Sequence, residues 1–142
     1  MPQRVRARTL WSLPHNYSID ERGDHMWVSQ SGLLETVEAA LELQRAVEAR
    51  VKATGIDLIV FDNRQTDPVT PEVRESMFSW ATQKTGPFHR VALLLQSDLS
   101  AVRVNMDALG RKAKLRAFAS SIEAVDWLRA SRGARRQDLP TG

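Results

Sequence analysis

Asp62, Asn63, Arg64, Asp67 and Thr70 gather where an apolar run, IDLIVFD, gives way to a polar loop. An aspartate two residues from an arginine can serve as a base beside a bound anion. It can equally close a local ion pair. Open α/β sheets bind ligands at the carboxyl ends of their strands, so Asp62, Arg64 and Asp67 are candidates for a polar pocket. Ordinary loop chemistry is the competing account: Asp and Asn bond nearby backbone, and Arg64 pairs with a neighbour. Thr70-Pro71 has two readings as well. Threonine accepts a backbone N–H at a helix start, and proline occupies the first helical position, where its missing donor costs nothing. The same hydroxyl at the positive end of a helix would tolerate a phosphate carrying roughly −2.

Little elsewhere supplies the second half of a reaction. The chain of 142 residues has no cysteine, which removes disulfides, thiolate metal ligands and a cysteine nucleophile. His15, His25 and His89 share no metal-ligand spacing. No serine stands in a Gly-x-Ser-x-Gly elbow, and the glycine-rich phosphate loops are missing. The expectation is a non-enzyme without cofactor or metal.

Charge argues against a nucleic-acid surface. Residues 1–8 and 129–142 each carry +3, which leaves 9–128 at −3 within a total of +3. The basicity sits at the ends, without the interleaved aromatics of a single-strand binding face. No apolar run approaches the ~20 residues of a membrane span, and no secretory segment opens the chain. A cytoplasmic protein of one domain is expected, over 1–130, with residues 1–9 a flexible arm or an edge strand. Residues 131–142 read as a basic disordered tail.

The elements that must hold the polar loop follow from periodicity. VRARTLWSL (5–13) reads as a strand burying Val5, Leu10 and Trp11. YSID and HMWVSQ alternate on either side of Glu21-Arg22-Gly23-Asp24, a hairpin. From Ser31, taken as the cap, Leu33, Val37, Ala40, Leu41, Val47 and Val51 form a helical stripe, and Gly55 stops it. IDLIVFD (56–62) and RVALLLQS (90–97) read as central strands covered on both faces. A helix from Thr70 buries Val73, Met77, Trp80 and Ala81. A third, capped by Ser97 or Asp98, turns Val102, Met106, Leu109 and Ala113 inward. After the short strand LRAFAS, Ser120 and Glu123 cap a last helix with Ile122, Val125 and Leu128 inward. Strands alternating with helices require right-handed crossovers. The expected fold is α/β: one mixed, largely parallel sheet with an N-terminal antiparallel hairpin and about four helices.

This order, from Trp27 to Leu128, resembles the STAS superfamily, in its divergent SpoIIAA-like branch of anti-sigma factor antagonist-like domains. The resemblance rests on IDLIVFD, VALLLQS and the closing LRAFASSIEAVDWL, and covers about three quarters of the chain. It implies a regulatory domain of bacterial signalling acting by protein–protein contact. In the resembled antagonists, a serine within Asp-Ser-Ser-Gly at the start of the second helix is phosphorylated by a kinase-type anti-sigma factor. The corresponding stretch here is Asp67-Pro68-Val69-Thr70-Pro71, which lacks that signature and leaves Thr70 beside the switch position.

On this reading the contact surface comprises Asp62, Arg64, Asp67 and Thr70, with Phe78 at the border of its helix stripe. Val104, pointing away from the third helix's expected core face, is a further apolar candidate. The partner is a regulatory protein, and a homodimer is a further option. The alternative is a small-molecule or lipid-binding module of the same fold, holding its ligand between sheet and helix.

Overall fold

In the computed structural model, residues 13–83, 86–110 and 114–138 are described, with only the backbone of 110 and 131–138. The elements are β1 (Asn16–Arg22), β2 (His25–Gly32), α1 (Val37–Thr54), β3 (Leu58–Thr66), α2 (Pro71–Thr82), β4 (Arg90–Leu94), α3 (Asp98–Gly110), β5 (Leu115–Phe118) and α4 (Ser121–Asp138). The five strands form one sheet in the order β1-β2-β3-β4-β5. β1 pairs antiparallel with β2, and every other pairing is parallel. The expected mixed α/β sheet with an N-terminal hairpin is therefore what the chain builds.

That strand order dictates where the helices go. Right-handed crossovers between successive neighbours, all stepping the same way, place their helices on one face of the sheet. α1, α2 and α3 accordingly share a core with Met26, Val28, Ile59, Phe61, Val91 and Leu115. The opposite face, with Trp27, Leu58, Val60, Ala92 and Leu94, is left to α4, which meets it through Ala124 and Leu128. β3 and β4 are thus covered on both sides, which explains their unbroken apolar runs. Trp80 anchors the larger core, packed edge-on against Phe61 and Phe88 at 5.7 and 5.0 Å. Its indole N–H donates to Glu48 on α1 at 2.7 Å.

The local signals hold at several ends. Gly23 at positive φ turns the hairpin, Gly55 closes α1 in the left-handed region, and Ser97 Oγ accepts the Ser100 N–H. Others shift. The cap of α1 is Thr36 rather than Ser31, because β2 continues through Ser31 to Gly32. β3 does not stop at Asp62 but runs to Thr66, since β2 pairs beside it that far. Leu41 is exposed, and Leu43 and Gln44 replace it in the buried face of α1. α4 continues to Asp138, past the expected boundary at 130, and residues 139–142 lie outside the described residues. So do residues 1–12, including the expected strand positions Val5, Leu10 and Trp11, and Ala113.

The largest departure is the rotation of α3. Of the stripe expected to face the core, Val102, Met106 and Leu109 face out, at 53%, 71% and 81% exposure, and Leu99 joins them at 62%. The inward face is made of small residues, Ala101 and Ala108, with Val104 between them. Small side chains let α3 lie close to the sheet, and Asn105 fixes its roll by bonding the backbone of Ala117 on β5. At the start of α4, Ile122 is likewise exposed, and Ala124 takes the inward position.

Candidate functional site

Extension of β3 to Thr66 sends successive side chains of the polar segment to opposite faces. Asp62 falls with Leu58 and Val60 on the α4 side. There the Arg64 guanidinium grips its carboxylate twice, Nε–Oδ1 2.9 Å and Nη2–Oδ2 2.8 Å. The Arg64 backbone N–H adds a third bond at 3.2 Å. The Trp27 side chain makes a small further contribution that lowers the Asp62 carboxyl, and the Arg22 guanidinium lies 4.3 Å from the centroid of that indole. Burial pushes the Asp62 carboxyl up, but the hydrogen bonds and charge of Arg64, with help from Trp27, outweigh it and leave it below its ordinary value. A carboxylate so engaged is a weakened base. Arg64 in turn is raised, chiefly by its bond to Asp62.

Asn63 points to the other face and begins a different network. Its Oδ1 accepts the Gln30 side-chain N–H at 2.7 Å, and Gln30 Oε1 pairs with His15 Nε2 at 3.0 Å. Gln30 is buried, so both ends of its amide are satisfied where no solvent could do so. The Thr66 hydroxyl donates to the Asn63 carbonyl, and the Asp67 N–H donates to Gly32 O at 3.0 Å. The loop from Asp67 to Thr70 is thereby tied to the end of β2. Gly32 makes this possible: it sits at φ +77°, and a Cβ there would fall 2.3 Å from the Pro14 carbonyl oxygen.

Thr70 is the exposed N-cap of α2. Its Oγ1 accepts the Val73 N–H at 3.3 Å, and Pro71 follows at the first helical position. The helix start is as expected, and its hydroxyl faces solvent. Beyond it, α2 and α3 stand apart and leave a cleft of about 860 Å³ over β3 and β4. Phe61, Met77, Phe78, Leu93 and Val104 form its apolar walls. Asn63, Thr66 and Asp67 belong to its polar end.

The structure thus divides the sequence candidates. Asp62 and Arg64 form a closed pair on the α4 side of the sheet. Asp67 and Thr70 lie in the loop bordering the cleft or capping its helix. Phe78 and Val104 are half-buried and line the cleft, so Val104 faces inward rather than outward. Gln30 and Gly32 escaped the sequence reading, which takes His15 only as a metal-ligand candidate. A glutamine at an inward position of an alternating strand was the available signal for Gln30; nothing local marked Gly32. Among the described residues no group of three or more His, Asp or Glu could hold a metal.

No protein-family model matches the chain, and no curated protein matches it in sequence. Solved structures do match in shape. One is an uncharacterized protein of the DUF3478 family with a SpoIIAA-like fold from Shewanella loihica PV-4: TM-score 0.56, 17% identity, 80% of this chain and 93% of that one. A second is an anti-sigma factor antagonist from Mycobacterium paratuberculosis: TM-score 0.55, 14% identity, coverage 82% and 95%. A third is the anti-sigma factor antagonist SpoIIAA in its unphosphorylated form, at TM-score 0.51, 13% identity and coverage 81% and 97%. The fold is SpoIIAA-like, as the sequence resemblance implied. Among the described residues no helix is long and apolar enough to cross a membrane.

Proposed function

We propose that this chain is a non-catalytic, STAS-like regulatory domain that binds a protein partner through the loop from Asp67 to Thr70 and the first turn of α2. The observation that carries the reading is Thr70: an exposed hydroxyl capping the helix that follows β3, on a fold shared with two anti-sigma factor antagonists. The loop is anchored by Asp67 to Gly32 and by Thr66 to Asn63, so it presents a fixed shape rather than ordering on contact. A phosphate on Thr70 would add roughly −2 at a helix N-terminus, where the helix tolerates it and a partner's acidic surface would not. The partner class is a bacterial regulatory protein, a kinase-type anti-sigma factor among them, and the site of action is the cytoplasm.

Affinity capture with mass spectrometry, scoring both partners and phosphate on Thr70, tests this directly. Thr70→Asp keeps a capping oxygen and adds charge, so the fold is preserved while a specific partner is lost by tenfold or more, about 1.4 kcal/mol. Equal capture by the wild type and Thr70→Asp would remove this surface from consideration.

The cleft supports a second reading, a module for an amphipathic small molecule or lipid. Its apolar walls, with polar and charged residues of β3, α2 and α3 also lining it, match the usual form of a ligand site, and its volume lies in the customary range. Native mass spectrometry of the purified protein separates the two readings. A co-purified ligand lost on Val104→Trp, which fills the cleft, would establish the second; a bare chain mass would oppose it.

A further inference from the structure

We infer that α3 carries a self-association surface, on which the stripe Leu99, Val102, Met106 and Leu109 docks against the same stripe of a second copy, the two helices running parallel. Single exposed apolar residues are ordinary, but these four are all on one helix and more than half exposed. Their spacing is three, four and three residues, the a-d-a-d seam by which helices pack on one another. The helix needs no partner to form. Ala101, Val104 and Ala108 hold it to the sheet, and Asn105 is bonded to Ala117. Docking therefore carries no cost of helix formation.

Charge on the flanks selects both the occupant and its direction. Asp98 precedes the first seam residue and Arg103 follows the second, the two positions that border such a seam. Both are exposed, and neither is ion-paired with another described residue. In a parallel pair, a residue before the seam meets the partner's residue five positions on, so Asp98 of each copy meets Arg103 of the other, twice by symmetry. In an antiparallel pair with the same four residues in contact, Leu99 would meet Leu109 and Val102 would meet Met106, so Asp98 would be carried away from Arg103 and Arg103 would come against its own counterpart. The remaining flanks, Asn105 and Gly110, are uncharged and oppose neither contact. A self-complementary pattern of this kind fits a copy of the same chain without invoking a second protein.

Sedimentation velocity of the full chain, over roughly 1 to 500 µM at low salt, reads the association by mass action. The expected result is a weight-average mass rising from one chain toward two. Met106→Asp holds it at one chain with an unchanged urea midpoint, because the side chain is solvent-exposed in the single copy. Asp98→Arg weakens the dimer about tenfold, and adding Arg103→Asp restores it. The cysteine-free chain permits a direct test of direction. Under mild oxidation Met106→Cys should link to its own counterpart across the axis, whereas Glu38→Cys on exposed α1 should not. Wild-type protein that stays at one chain throughout overturns the inference, including where the stripe proves to bind another protein or lipid vesicles instead. A dimer in which Met106→Cys fails to link overturns the parallel arrangement.

Discussion

Asn105 on α3 and Ala117 on β5 exchange two hydrogen bonds: the Ala117 N–H donates to Asn105 Oδ1 at 2.6 Å, and the Asn105 amide donates to the Ala117 carbonyl at 3.0 Å. β5 is the outer strand of the sheet, so these backbone groups have no neighbouring strand to pair with. The amide stands in for one, blocking the place where a foreign strand would add. The same two bonds set the roll of α3. With Asn105 turned to the strand, Val104 and the alanines face the core and the Leu99–Leu109 stripe is carried outward. One side chain therefore closes a sheet edge and exposes a helix face.

Asn105→Ala should lower stability by about 1–2 kcal/mol in urea unfolding, since two part-buried backbone groups lose their partners. Asn105→Asp should cost at least as much, because its carboxylate would confront the Ala117 carbonyl where the amide donated. Faster aggregation of Asn105→Ala at high concentration, seen by light scattering, is expected from the opened edge.

Thr70 has a structural role that must be separated from any regulatory one. Thr70→Ala removes the acceptor of the Val73 N–H and should cost about 1 kcal/mol, while Thr70→Ser should be near neutral. Thermal unfolding of the three proteins checks this order. A loss in Thr70→Ser equal to that in Thr70→Ala would mean the γ-methyl, not the oxygen, supports the helix start.

How far the sequence revealed this molecule depends on whether the signal is local. The hairpin at Gly23, the caps at Ser97 and Thr70 and the stop at Gly55 are set by side-chain and backbone chemistry within a few residues, and the sequence reads them. The mixed, largely parallel sheet with its leading hairpin follows from alternation and from strands alternating with helices. The face of α3 was misread because Val102, Met106 and Leu109 have the spacing of a core stripe; what decides their direction is a bond from Asn105 to a strand twelve residues on. Asp62 and Asn63 look like one polar cluster in the sequence, but an extended backbone sends them to opposite faces. The cleft was beyond reach, because it is a gap between two helices and no residue type encodes a gap.

Gly32→Ala should be among the most damaging single changes. At φ +77° an alanine is strained, and its methyl would meet the Pro14 and Leu13 carbonyl oxygens at 2.3 and 2.7 Å. Both obstacles are backbone, so they cannot rotate away. A loss of roughly 2–4 kcal/mol is expected in urea unfolding. Gly23→Ala at a similar φ, with nothing near its Cβ, should cost only about 1 kcal/mol. The gap between the two separates the close approach from the backbone conformation.

Asp62 makes a prediction about acid stability. Its folded carboxyl lies below its ordinary value of 3.8 because the bonds and charge from Arg64, with Trp27, outweigh the opposing effect of burial. A carboxyl depressed by folding stabilises the folded state fully above its unfolded pKa and loses that contribution as pH falls through the folded one. The effect is therefore complete above about pH 4 and fades below it. Asp62→Asn retains the shape but not the charge, and it places an amide N–H or a neutral oxygen against the guanidinium. Its expected cost at pH 7 is about 1–2 kcal/mol, toward the low end because Arg64 is 42% exposed and its side of the pair is screened by water. Urea unfolding of both proteins between pH 7 and 2 should give a constant difference above pH 4 that narrows below it. Other carboxyls titrate in the same range, but they are common to both proteins and cancel in the difference. Curves that stay parallel down to pH 2 would mean that the Asp62–Arg64 pair adds no charge-dependent stability, and the negative charge at this strand end would then be free of a structural role.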